Sequence, residues 1–172
     1  ESVGCVLTTI KVARELGRDG VGYERDLRYK ATIMKKLGVE VPAETEGVVA
    51  YSLPGFEDKV GIERKTIDDL VGCLMGKNRD RFEKELARAK SYELFAVIIE
   101  ADLITLSQGN YQSNMKSHSA IQTITAFHIR YGIPFLFCGN RSGAEYMTYS
   151  LLQKYLYEIE KRYKQSKKSM KR

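Results

Sequence analysis

The chain has 172 residues, 43% hydrophobic and 29% charged, a length and balance that suit one globular domain with a sizeable core. It has no run of 18 apolar residues, which excludes an ordinary membrane-spanning helix, and its opening ESVGCVLTTIKVAREL lacks the basic lead-in and cleavage pattern of a signal peptide. The net charge of +6 is unevenly placed. Residues 161–172 hold seven Lys and Arg and no acid, which leaves 21 basic against 22 acidic residues in 1–160; such a tail suits a polyanion or, more plainly, serves as a solubilising end.

Residues 1–17 suit a helix or a strand equally, and 1–20 are set apart as an N-terminal extension. VGYERDLRY at 21–29 is a strand candidate, and Gly38 turns the chain before the short apolar VEV. GVVAYSLPG at 47–55 is expected to be a strand stopped by Pro54-Gly55, and KVGIERK at 59–65 a second strand close enough to form a hairpin with it. Then the period changes. TIDDLVGCLM is helical in pattern, with Thr66 as N-cap and Asp68 and Asp69 in the first turn. RDRFEKELARAKSY at 79–92 predicts a helix with Phe82, Leu86 and Ala89 on one face and i,i+4 pairs Asp80–Lys84 and Arg81–Glu85 on the rest.

LFAVIIEA at 94–101 is a continuous run rich in β-branched residues, the mark of a strand buried on both faces. SAIQTITAFHIRYG is a helix stopped by Gly132, IPFLFCG a short buried strand, and GAEYMTYSLLQKYLYEIEKRY a long closing helix. On that helix Tyr149, Leu152, Leu156, Ile159 and Tyr163 form an apolar stripe, which fits packing on the sheet or a dimer seam. No repeat or linker interrupts the middle of the chain. The expectation is one α/β domain over 21–160, with a mixed central sheet flanked by helices, followed by the basic tail 161–172.

VGIERKTIDDL carries the chemistry. On a strand, Glu63 and Lys65 point to one face and Arg64 to the other. A carboxylate there can hold a hard divalent cation, which acidifies a bound water and polarises a phosphoryl oxygen. The lysine beside it can orient that water or offset transition-state charge, and Asp69, a turn into the next helix, is expected to hold Arg64 or Lys65 in place. An exposed, salt-bridged hairpin end is the bland reading of the same residues. GKNRDRF at 76–82 gathers Lys77, Arg79 and Arg81, bases suited to a phosphate backbone or to a solvated helix start. It lacks the glycine spacing and the Ser or Thr of a P-loop. The polar loop QGNYQSNMKSHSA offers Tyr111, Lys116 and His118, while His128 lies among apolar residues and reads as structural. Three scattered cysteines and two histidines make no zinc spacing and point to a reducing, intracellular setting.

ERKTIDD resembles the E-R-K-x-x-x-D signature of the XPF-type nucleases, a branch of the PD-(D/E)XK restriction-endonuclease-like superfamily. The likeness extends through AYSLPGFEDKVGIERKTIDDLVGCLMGKNRDRFEKELARAKSYELFAVIIEA and AFHIRYGIPFLFCGNRSGAEYMTYSLLQKYL, and is closest to the short phage and bacterial members. It covers roughly residues 26–160. It implies a restriction-endonuclease-like fold and a Mg²⁺- or Mn²⁺-dependent DNA endonuclease acting on branched or structured DNA, able to pair as a homodimer or heterodimer.

Carried over residue by residue, the resemblance makes Glu63, Arg64, Lys65 and Asp69 the catalytic group and Glu63 with Asp26 the metal ligands. Arg28, Lys77, Arg79, Arg81, Tyr111 and Lys116 become DNA contacts, and Glu100 falls near the site. The sequence departs from the pattern at two places. Val49-Ala50 stands where the family has Gly-Asp, whose Asp binds metal, and Tyr29 stands where an early Glu is usual. Three explanations stay open: a chain altered to trap a complex, a member that kept DNA binding and lost cleavage, or a substitute ligand from Glu44 or Glu46. An alternative alignment places the early strand at TTIKVARE, with Ala13 in place of Asp26.

Overall fold

The computed structural model describes residues 49–53 and 55–170. The extension 1–20, the strand candidate 21–29, Asp26, Arg28, Tyr29, Glu44 and Glu46 lie outside them. The described chain falls into two compact units, one of residues 49–51 and 58–148, the other of 52–53, 55–57 and 149–170.

The first unit is built on a four-stranded sheet in the order β1-β2-β3-β4, with β1 at Val49–Tyr51, β2 at Val60–Lys65, β3 at Leu94–Ile99 and β4 at Phe135–Phe137. β1 runs antiparallel to β2, so the expected hairpin forms, whereas β2, β3 and β4 are parallel. Parallel neighbours need crossovers, and the helices supply them. α1 (Ile67–Gly72) and α2 (Gly76–Ala89) connect β2 to β3; α3 (Leu103–Ser107) and α4 (Ser117–Tyr131) connect β3 to β4. The run LFAVII is buried on both faces from Ala96 to Ile99, as its unbroken apolar character requires.

Local chemistry sets the helix ends. The Thr66 hydroxyl accepts from the Asp69 amide at 3.2 Å and opens α1. Asp102 caps α3 in the same way, accepting from Thr105 N at 2.6 Å. Gly132 closes α4 at φ 71, a left-handed position where a side chain is strained. Gly143 has another reason: a Cβ there would stand 2.0 Å from the Cys138 carbonyl oxygen, so the first turn after β4 packs against the strand end only because the side chain is absent.

The core of this unit joins Leu70 and Leu74 of α1 and its exit, Phe82 and Leu86 of α2, Val97 and Ile99 of β3, and Ile124 and Phe127 of α4. Phe82 anchors it, edge-on to Phe127 at 6.0 Å and to Phe135 at 6.3 Å. A staple on the surface ties α2 to α4, because the Glu83 carboxylate accepts from Arg79 Nε at 2.9 Å, Arg130 Nη1 at 3.0 Å and the Tyr131 hydroxyl at 3.0 Å.

Several expectations shift. α2 starts three residues before the predicted Arg79, at a Met75 N-cap that makes no side-chain hydrogen bond, so no capping residue marked its start. The ion pair that forms along it is Arg79–Glu83 rather than Asp80–Lys84 or Arg81–Glu85. The short helix α3 falls in a stretch to which the sequence assigned nothing.

In the second unit the last helix, α5 (Arg141–Ser169, its first eight residues belonging to the sheet unit), carries buried Leu152, Tyr155 and Leu156, and Tyr155 meets Phe56 edge-on at 5.8 Å. The predicted stripe thus holds at its centre and gains Tyr155, but it runs out at Tyr163, which is 46% exposed. α5 also continues past the expected end at Tyr163, so the basic tail is helical to Ser169. Lys, Gln and Ser permit this, and the pairs Glu158–Lys161 and Glu160–Lys164 with Lys167 over the Tyr163 ring support it.

Candidate active site

The pleat of β2 sorts the E-R-K triplet as its spacing predicts. Glu63 and Lys65 are register partners of Val97 and Ile99, both members of the core, so their face of the sheet is the one covered by α1, α2 and α4. Lys65 Nζ lies 2.5 Å from Glu63 Oε1. The Phe82 ring lies 5.1 Å from that ammonium, a cation–π contact from α2. Glu63 is 0% exposed and Lys65 4%. Neither Glu63 oxygen has a donor at hydrogen-bonding geometry, although Oε1 is in ion-pair contact with the lysine. Native interiors rarely leave such atoms unpaired.

Burial dominates the protonation of Glu63. Desolvation pushes the Glu63 carboxyl from its usual 4.5 up to about 7; Lys65 opposes the rise and Glu85 of α2 adds to it. Burial acts to lower the Lys65 ammonium, but the charge and contact of Glu63, with smaller help from Cys73 and Glu85, outweigh it and hold the lysine above its ordinary value. Burial also pushes the Cys73 thiol up. The site therefore holds one protonated lysine beside a carboxylate poised near neutrality. Phe82, Glu85 and Cys73 were not singled out as its surroundings. The only cue was the expected apolar face of α2, which does not say what that face touches.

Arg64 leaves the opposite face. It pairs with Glu100, just beyond β3, and stacks 5.7 Å from the Tyr51 ring. Glu100 thus serves Arg64 and makes no contact with Glu63. Asp69 holds neither Arg64 nor Lys65. Its carboxylate accepts from the Thr66 hydroxyl at 2.7 Å, at the surface, because the N-cap claims the first-turn acid. Lys77, Arg81 and Lys116 are exposed. Arg79 is engaged by Glu83 and lies over the Phe127 ring at 5.4 Å, and Tyr111 turns its hydroxyl into its own loop, donating to the Met115 carbonyl at 2.7 Å. His128 Nδ1 meets the Ile133 carbonyl at 2.8 Å, a structural role. Ala50 is the register partner of Glu63.

Glu63 suits a hard cation as a single donor, being a buried carboxylate with an oxygen that nothing else occupies. Among the described residues no three His, Cys, Asp or Glu side chains gather to complete a metal site.

Comparison with solved structures defines the fold. XPF from Aeropyrum pernix matches with a TM-score of 0.53 at 22% identity, over 82% of this chain and 66% of that one. XPF from Aeropyrum pernix in complex with DNA matches at 0.47 and 20% identity, over 76% of this chain and 58% of that one. This chain thus spans 58–66% of the length of those it matches, and its fold is that of an XPF-type nuclease domain, a mixed sheet flanked by helices. The ERCC4 domain matches residues 14–151, and the chain belongs to that family. No curated protein matches. Among the described residues no helix is long and apolar enough to cross a membrane.

Proposed function

We propose that this chain is a metal-dependent endonuclease domain for branched or otherwise structured DNA. The observation that carries the reading is the Glu63–Lys65 pair, a buried carboxylate with one oxygen that nothing else occupies, 2.5 Å from a buried ammonium at the end of a sheet strand. Glu63, with Asp26, would hold Mg²⁺ or Mn²⁺. Such an ion, when bound, supplies an acidified water and a polarised phosphoryl oxygen. Lys65 orients the attacking group and offsets negative charge as the phosphodiester breaks. Phe82 restrains the ammonium through its ring face. Arg64 supports the strand from behind through Glu100, and Asp69 supports it by fixing the helix that follows Lys65. Lys77, Arg81 and Lys116, with Arg28, are the residues offered to phosphates; Arg79 and Tyr111 act from within the fold.

Position 50 supplies the test. Opposite positions of an antiparallel pair share a face at Cβ separations of about 4.5–5.5 Å. An Ala50→Asp substitution therefore places a second carboxylate across from Glu63. Mn²⁺-dependent nicking of flap, fork and four-way-junction DNA is expected from the chain as it stands, to vanish in Glu63→Gln, and to rise in Ala50→Asp. Robust cutting by Glu63→Gln would overturn the assignment.

A second reading, a DNA-binding or scaffold module with this fold and no cleavage, is favoured by one observation: no three-acid cluster surrounds Glu63 among the described residues. Structure-specific binding with no cutting by any of these variants would establish it.

A further inference from the structure

α5 presents a surface that the proposed active site does not use. Between Tyr149 and Met170 it carries six basic and two acidic residues. Its buried residues, Leu152, Tyr155 and Leu156, occupy one arc. At 3.6 residues per turn, Lys154, Lys161 and Lys168 fall on the opposite arc. They recur every seven residues, so they stand nearly in line at about 10.5 Å intervals. All three are exposed. Tyr157, 58% exposed, lies on the same arc with the Lys154 ammonium 5.8 Å from its ring. A concavity of about 260 Å³ on this flank is lined by Tyr157, Glu160, Lys161, Lys164, Gln165 and Lys168. The two acids do not cancel it: Glu160 is engaged by Lys164 at 2.5 Å, and Glu158 reaches Lys161 only at 3.8 Å, with both side chains about half exposed.

We infer that the outward face of α5 is a nucleic-acid track, in which Lys154, Lys161 and Lys168 contact phosphates spaced along one duplex arm. The inference rests on DNA being the partner proposed above. Charge and spacing favour this occupant. The line from Lys154 to Lys168 is about 21 Å long, roughly six base pairs of duplex axis. A long lysine stem keeps its charge in water while it spans the gap to a phosphate. From Lys154 to Lys168 the lysine arc itself carries no Leu, Ile, Val, Met or Phe to insert into a lipid bilayer, and Leu152, Tyr155 and Leu156 on the opposite arc are already buried.

The experiment measures binding of the 172-residue chain to a 30-base-pair duplex in EDTA, from low to moderate salt. Each phosphate contact on duplex DNA contributes about −0.9 to the slope of log K against log salt. Changing Lys154, Lys161 and Lys168 together to Gln should reduce the magnitude of the slope by about 2.7 and weaken binding at least tenfold. The corresponding triple change to Arg should keep both, and Lys59→Gln with Lys90→Gln, in the other unit, should change neither. An unchanged slope in the Gln variant overturns the inference, as does equal loss in the Arg variant. Loss of binding to vesicles containing anionic phospholipid, with the DNA slope unchanged, would assign the face to a membrane surface instead. Because cleavage is not the readout, a chain that never cuts DNA still decides the question.

Discussion

Two ion pairs leave the same strand in opposite directions, and they are built differently. Glu63 and Lys65 are two residues apart and sealed, at 0% and 4% exposure; Arg64 and Glu100 are 36 residues apart and keep some access to water, at 16% and 15%. The first pair is local in sequence and its environment is tertiary, since helix α2 and the core isolate it. The second is tertiary in sequence and its environment is ordinary. A pair sealed from water is set by desolvation as much as by its own attraction. That is why the Glu63 carboxyl rises to about 7 with a lysine at 2.5 Å. Proximity of an opposite charge and stability of the charged form are separate matters.

The sharpest way to break this contrast is to strip one partner from the sealed pair. Lys65→Met leaves Glu63 buried without its counter-charge and should cost about 3–5 kcal/mol at pH 8 in urea unfolding. The loss should shrink as pH falls below about 7, because the protonated carboxyl then buries no charge. Equal loss at pH 8 and pH 5.5 would mean that Glu63 is hydrated after all. Removing both partners tests the other half of the claim. Glu63→Leu with Lys65→Met should match or exceed the native stability by about 1–4 kcal/mol while abolishing any cleavage.

A third measurement follows the sign of the Glu63 shift. Its folded value lies above its unfolded value, so its favourable contribution is complete below about 4.5 and is lost as pH rises through about 7. The stability difference between the native chain and Glu63→Gln should therefore move in favour of the Gln variant across that window and be flat above it. The smallest effect belongs to the wetter pair. Glu100→Gln should cost about 1–2 kcal/mol. A loss as large as that of Lys65→Met would erase the distinction between the two faces.

The sequence made the local half of this legible. Thr66 with Asp68 and Asp69 announced an N-cap, the alternation of Glu63, Arg64 and Lys65 sorted their faces, and the apolar run at 94–99 declared a fully buried strand. The missing information is long-range. Nothing near Arg64 names Glu100, so the acid at the end of β3 is expected only near the site, and its pairing with Arg64 on the reverse face is not legible. Nothing near Lys65 names Phe82, 17 positions on, because that contact depends on how α2 lies across the sheet. Asp69 was expected to reach a base, yet the Thr66 hydroxyl is closer and needs no long side chain to be ordered. The start of α2 was hidden because Met75 bears no capping oxygen, and the helical tail because a run of lysines also suits a frayed end.

The mixed direction of the strands has a kinetic consequence. Tyr51 pairs with Ile62, 11 positions away, whereas Val60 pairs with Leu94 and Val97 with Phe135, 34 and 38 positions away. Closing a loop costs entropy that grows with its length, so the β1–β2 hairpin is the cheapest part of the sheet to nucleate. The strand that carries Glu63 and Lys65 can then form while both residues are still in water, with the desolvation deferred until α2 docks. Mutations of the sealed pair should accordingly leave the refolding rate almost unchanged and act on unfolding, a low φ-value at the site and a higher one in the hairpin.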